Sequence, residues 1–240
     1  SLIAWPDGCI IQAPAWEEGI LLIDTEKRTG EFLLLNEKDI IQCEVFEDEL
    51  PEISRNSELL EAITVGLRDY CRKSGLESVV LGMSGGIDSA VSAAICVRAL
   101  GEKNVIGISM PSRHSSEHSI SDAEYTAEQL KIELLSLPIK QMHSEAESTL
   151  IEELENGHPV AAENIQSRLR GMLVMGVANA RGSMAIATGN KSELAMGYCT
   201  LYGDMNGGLS VIGDLYKTSV FTLCEWLDGK HSYECRKAFN

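Results

Sequence analysis

Residues 84 to 89 read Ser84-Gly85-Gly86-Ile87-Asp88-Ser89, a run whose residue types fit one task. Two adjacent glycines let the backbone turn sharply and expose consecutive N–H groups, with two serine hydroxyls beside them. A helix beginning here would aim its own N-terminal N–H groups at the same spot. Such a pocket suits a phosphate or pyrophosphate. Asp88 would repel that anion unless a divalent cation lay between them. The run alone therefore suggests a nucleotide held with Mg²⁺.

The surrounding sequence supplies the elements to position that turn. The Val- and Leu-rich run before Gly82 reads as a buried strand, and Asp88 to Leu100 as a helix stopped by Gly101. Further along, Asn104–Met110, 133–139 and Ser183–Thr188 read as strands. The spacing predicts helices over 56–75, from a capping box at Ser121-Asp122-Ala123-Glu124 to Leu130, over 144–155, and over 161–181 before Gly182. Strands alternating with helices imply an α/β fold with a doubly wound, mostly parallel sheet and ligands at the strand C-terminal ends. Residues 1 to 50 differ. Apolar runs at 9–11, 19–23, 32–35 and 40–45 separated by polar breaks read as short antiparallel strands. This β appendage is too small to stand alone and reads as the tail of something larger, followed by an acidic linker at 47–52 and a second domain over 51–240.

The 240 residues carry a net charge of −16, which argues against a nucleic-acid partner, since phosphate backbones need a broad basic surface. ATP needs only a few placed cations. Seven cysteines are scattered without a C-x-x-C pair, as expected for free thiols in a cytoplasmic protein. No apolar run reaches membrane-helix length. His114 and His118 have no further ligands nearby in sequence and read as solvent-exposed loop histidines.

Two other readings fit the glycines. Gly82-Met83-Ser84-Gly85-Gly86 matches the G-x-S-x-G elbow of α/β-hydrolases. That reading needs an acid and then a histidine, and only His231 lies far enough along, in a stretch without triad context. A purely structural turn would leave Ile87-Asp88-Ser89 without a reason.

The loop resembles the S-G-G-x-D-S loop of the N-type ATP pyrophosphatases. Four further blocks narrow the resemblance: Glu163 to Arg170, Ala187-Thr188-Gly189-Asn190-Lys191-Ser192-Glu193, Leu201-Tyr202-Gly203-Asp204, and Gly213-Asp214-Leu215-Tyr216-Lys217-Thr218. In order and spacing they are similar to NAD synthetase, over roughly residues 56 to 228. The resemblance implies an adenine nucleotide alpha hydrolase-like fold and ATP-dependent amidation of deamido-NAD to NAD. It implies catalytic roles for Asp88, Glu193 and Lys217, with Asp88 and Glu193 as Mg²⁺ ligands. ATP would be bound by Gly82, Met83, Ser84, Gly85, Gly86, Ile87, Asp88, Ser89, Thr188 and Lys217, and deamido-NAD by Asn164, Arg168, Glu193 and Asp204. Arg168 and Arg170 lie two apart on one helix and point to different faces, so at most one enters the site. A homodimer or larger homo-oligomer is also implied.

Elementary chemistry explains the two steps such an enzyme takes. Ammonia does not displace oxide from a carboxylate, but transfer of AMP from ATP makes a mixed anhydride from which AMP can leave. Residues 1 to 50 resemble the end of a nitrilase-like glutaminase domain, so glutamine is the expected ammonia source. Leu201, where ammonia-using relatives carry lysine, points the same way. Past Asp228 the text passes directly to Gly229-Lys230-His231 and a stretch similar to the family's far C-terminus, so a segment is expected to be missing there. The alternatives are another pyrophosphatase-loop amidoligase or transferase and a non-catalytic nucleotide-binding module.

Overall fold

A computed structural model describes residues 1–35, 39–47 and 54–227. The linker at 48–53 and the stretch beyond Leu227 lie outside the described residues. The chain divides into two compact units, Ser1–Ala62 and Ile63–Asn240.

The first unit holds two three-stranded antiparallel sheets. One has the order β1 (Leu2–Ala4), β2 (Cys9–Gln12), β6 (Val45–Glu47), and the other β3 (Gly19–Asp24), β4 (Thr29–Leu34), β5 (Ile40–Gln42). The apolar run at 40–45, read as one strand, is thus two strands in different sheets, because Cys43 N–H donates to Gly30 in one ladder while Val45 pairs with Ile11 in the other. Ile11 and Phe32 are buried, at 0% and 3% exposure, and anchor this unit.

The division falls within α1 (Arg55–Ser74), which Gly75 ends with φ +68°. The second unit then alternates: β7 (Val79–Gly82), α2 (Ile87–Leu100), a single 3₁₀ turn, β8 (Val105–Ser109), α3 (Glu117–Leu130) and β9 (Glu133–Ser136). After these come α4 (Lys140–Thr149), α5 (Ile151–Glu155), α6 (Val160–Arg181), β10 (Met184–Ala187), α7 (Lys191–Met196), β11 (Leu209–Ser210) and α8 (Lys217–Trp226). All strand pairs in this unit are parallel, in the order β11-β10-β7-β8-β9. Val79, Val80 and Leu81 are all wholly buried. Successive strand residues face opposite ways, so both faces of β7 are covered. On one face Val174 and Ala178 of α6 pack with Val80, Ile106, Ile108 and Ala185.

Further expectations are corrected. The helix expected from Ser121 begins earlier, because Ser116 caps it by accepting from Ser119 N–H at 3.1 Å. Ser121 instead donates its hydroxyl to the His118 carbonyl within the helix, and His118 is helical rather than in a loop. The acidic helix at 144–155 is two helices broken at Leu150. A fifth strand, Leu209–Ser210, was not legible, since two residues carry no period.

Candidate active site

Strand order reverses between β7 and β10: β8 and β9 lie on one side, β11 on the other. At such a switch point the loops leaving adjacent strands part and open a crevice. The two loops here are Met83 to Gly86 and Thr188 to Asn190.

The first loop is set by contacts that leave little freedom. Met83 N–H extends the ladder to Ile108 carbonyl at 2.8 Å, and its side chain lies against Gly107, where a Cβ would approach it to 2.8 Å. Gly85 has φ +78°, and a Cβ there would sit 2.3 Å from the Ser119 carbonyl oxygen. Both conformation and space therefore require glycine. Ser89, 2% exposed, braces the turn: its hydroxyl donates to Gly86 carbonyl at 2.8 Å and accepts from Ser84 N–H at 3.3 Å. Gly86 caps α2 without a side-chain partner for the helix N–H groups, which leaves the donors expected for a phosphate. Ser84, unlike Ser89, is exposed.

Three loop-to-helix junctions meet around Asp88. Lys217, the first residue of α8, places its ammonium on Asp88 Oδ2. Asn190, wholly buried, donates from Nδ2 to Asp88 Oδ1 at 3.3 Å. Asn190 also caps α7. Its Oδ1 accepts from Glu193 N–H at 3.1 Å, and Glu193 Oε2 accepts from Asn190 N–H at 3.0 Å. The α7 and α8 starts are tied together as well, since Ser192 Oγ accepts from Lys217 N–H at 3.0 Å. Asp88, Glu193 and Lys217, far apart in sequence, are thus within one hydrogen-bonded cluster. Among the described residues no group of three or more His, Cys, Asp or Glu side chains gathers to hold a metal. Two carboxylates flanking Asn190 fit a Mg²⁺ that takes its other ligands from phosphates and water.

Beside the cluster opens a cavity of about 470 Å³, walled by Gly82, Met83, Ser84, Thr188 and, on α6, Gln166 and Arg170. Its wall reaches Ser84 and Thr188, the residues from which the loops run on to Asp88 and Asn190. Asp204 lines it too; its Oδ1 accepts from Thr200 N–H at 2.7 Å, and its N–H donates to Ser167 Oγ at 3.0 Å. Glycines let this loop press on α6: a Cβ at Gly203 would come within 2.2 Å of Ser167 Oγ, and one at Gly171 within 2.7 Å of the Gly203 carbonyl.

Of the two arginines, Arg170 lines the cavity, donating from Nε to the Met110 carbonyl at 3.2 Å. Burial pulls its guanidinium below the ordinary value, and it stays charged at neutral pH. Arg168 instead donates to the Leu201 carbonyl at 3.3 Å. Asn164 accepts from the Thr200 hydroxyl at 2.9 Å and stands behind the loop rather than in the wall. Sequence left open which of Arg168 and Arg170 enters the site, and it named Asn190 only within a block, with no role. The Asn-x-x-Glu spacing of a capping box was the available signal for Asn190.

The NAD synthase family model matches residues 59–232. The glutamine-dependent NAD(+) synthetase of Synechocystis is 43% identical over 218 residues, covering 90% of this chain and 37% of that protein. That of Rhodobacter capsulatus is 41% identical, covering 96% and 40%. The chain therefore spans about two fifths of the length of these relatives. Among solved structures, glutamine-dependent NAD+ synthetase from Acinetobacter baumannii in complex with ADP superposes with a TM-score of 0.77 at 34% identity, covering 88% of this chain and 40% of that one. An NH3-dependent NAD synthetase from Campylobacter jejuni gives 0.67 at 32% identity, covering 77% and 78%.

Proposed function

The chain belongs to the NAD synthase family, and from that premise we propose that it carries the synthetase part of a ligase that amidates deamido-NAD to NAD. ATP adenylates the substrate carboxylate with release of pyrophosphate, and ammonia then displaces AMP. The observation that carries this reading is the meeting of Asp88, Glu193 and Lys217 at the sheet's switch point, beside a cavity of nucleoside size.

Each residue has a role in that reaction. The adenosine of ATP occupies the cavity beside Ser84 and Thr188, and the N–H groups of Gly85 and the α2 start receive the pyrophosphate, joined by that of Gly86 when it turns from Ser84 Oγ, on which it rests at 3.2 Å. Lys217 moves from Asp88 onto the phosphates as their charge grows. Preorganised donors of this kind contribute roughly 3–4 kcal/mol each to transition-state stabilisation. Asp88 and Glu193 would hold Mg²⁺, which when bound would neutralise phosphate charge. No side chain acts as nucleophile; the residues position reactants and stabilise charge. The dinucleotide meets Asp204 and Arg170 at the α6 side of the same cavity, the arginine through its anionic groups, with Asn164 and Arg168 supporting the loop that carries Asp204.

The ammonia comes from glutamine, and residues 1–50 are the end of a nitrilase-like glutaminase domain. The names of the relatives, the greater length of those proteins, and the exposed Ile20, Leu22 and Ile40 on the small sheets support this. Exposed Met196, Tyr198, Leu201 and Tyr202, at 64–81%, support a homo-oligomer. Free thiols at Cys9, Cys43, Cys71, Cys96 and Cys199 suit the cytoplasm. Among the described residues no helix is long and apolar enough to cross a membrane.

The test is to supply the protein with MgATP, deamido-NAD and either ammonium or glutamine, and to follow NAD, AMP and pyrophosphate. Equimolar appearance of the three with ammonium is expected. No NAD and no pyrophosphate would overturn the reading, and amidation only of the deamido mononucleotide, supplied in place of deamido-NAD in a parallel assay, would replace it with a different acceptor.

A further inference from the structure

Asn190 is wholly buried and joins the two acidic residues on which the proposed reaction depends. Its carbonyl oxygen accepts from Glu193 N–H and its amide nitrogen donates to Asp88 Oδ1. A side chain that only capped α7 would need just the acceptor. Serine, threonine or aspartate serve as well at that position. Only an amide has a donor on the same short planar group, and that donor reaches a carboxylate 102 residues away in sequence.

The division of Asp88 between two donors has a physical consequence. Lys217 takes Oδ2 and Asn190 takes Oδ1. When Lys217 leaves for an incoming phosphate, Asn190 keeps the carboxylate plane fixed. It does so without charge, so it does not cancel the negative pair that would meet a cation. We propose that Asn190 is a positioning residue for the reaction: it locks the Asp88 carboxylate and the Glu193 capping box into one unit across the switch point. This rests on the proposed function, through the roles given there to Asp88 and Glu193.

The swap Asn190→Asp with Asp88→Asn tests it. Asn190→Asp keeps size and cap but replaces the donor with a third carboxylate facing Asp88 and Glu193, with Lys217 the facing cation. Asn190→Asp should lower Tm by about 2–4 °C. The double variant should regain it, because the amide brought in by Asp88→Asn then donates to the carboxylate brought in by Asn190→Asp. In Asn190→Asp kcat should also fall about 10–100-fold, as for other residues that orient ligating groups, with KM for deamido-NAD unchanged. The double variant regains Tm but not kcat. Asn190→Ser, which caps but cannot reach Asp88, is expected to lose kcat with the same split and carries the test if Asn190→Asp does not fold. Wild-type Tm and kcat in Asn190→Asp, or a double variant no more stable than the sum of its singles, would reduce Asn190 to a helix cap. A wild-type protein without synthetase turnover would sink the proposed function, and the Tm cycle would still decide the Asn190–Asp88 contact.

Discussion

The ammonium of Lys217 rests on one oxygen of Asp88, 129 residues earlier in the chain. The pair joins the first turn of the helix after the glycine loop to the start of the last described helix, with Lys217 over the ring of Phe221 at 5.5 Å. It is partly exposed, at 37% and 18%, so it contributes at most about 1 kcal/mol to stability. Its significance is that a cation is held ready where phosphate is expected.

Lys217→Met should therefore leave Tm nearly unchanged while lowering pyrophosphate release about 10²–10³-fold. Asp88→Asn should likewise fold and lose turnover. Rates of pyrophosphate release beside melting curves check both. Full activity in either variant would contradict the assigned role.

Gly85→Ala combines a left-handed φ with a carbonyl 2.3 Å from the new methyl. It is expected to cost about 1–3 kcal/mol and to abolish ATP binding by calorimetry. Gly66→Ala is the contrast. Gly66 lies in α1 with nothing within 4 Å of a Cβ, so the same change should stabilise by about 0.5–1 kcal/mol.

The arginines separate by position. Arg170→Ala, in the cavity wall, should raise KM for substrate at least about tenfold, an arginine hydrogen bond to a charged group being worth about 1.5–3 kcal/mol. Arg168→Ala should act less, through the loop at Leu201. Equal KM values for the two variants would refute the distinction.

Acid stability should show a local signature at Glu147. The Arg113 guanidinium, 2.6 Å away, holds its carboxyl below the ordinary 4.5, with His143 and His114 adding to the effect. A carboxyl lowered by folding stabilises above its unfolded value and loses that contribution as pH falls through the folded one. Glu147→Gln should therefore lower Tm slightly at pH 7 and make the decline of Tm below about pH 4.5 shallower. Parallel decline in both proteins would contradict this.

Sequence by itself determined the α/β alternation, because Val79 to Leu81 and Met184 to Ala187 are unbroken apolar runs and Gly75, Gly101 and Gly182 end their helices. It also determined the glycine loop, whose residue types admit few uses, and the family resemblance carried by five ordered blocks. Local pattern misplaced the start of α3, where the Ser121 capping box fits locally but the structure caps the helix at Ser116, and could not register β11, whose two residues pair only because β10 is already in place. Only the tertiary structure decided which arginine faces the cavity, since two positions on one helix differ by a rotation that packing against Met110 and Leu201 resolves. It alone brought Asn190 onto Asp88. A hydrogen bond between residues 102 apart exists when a parallel sheet sets two strand ends side by side, and no local spacing encodes that.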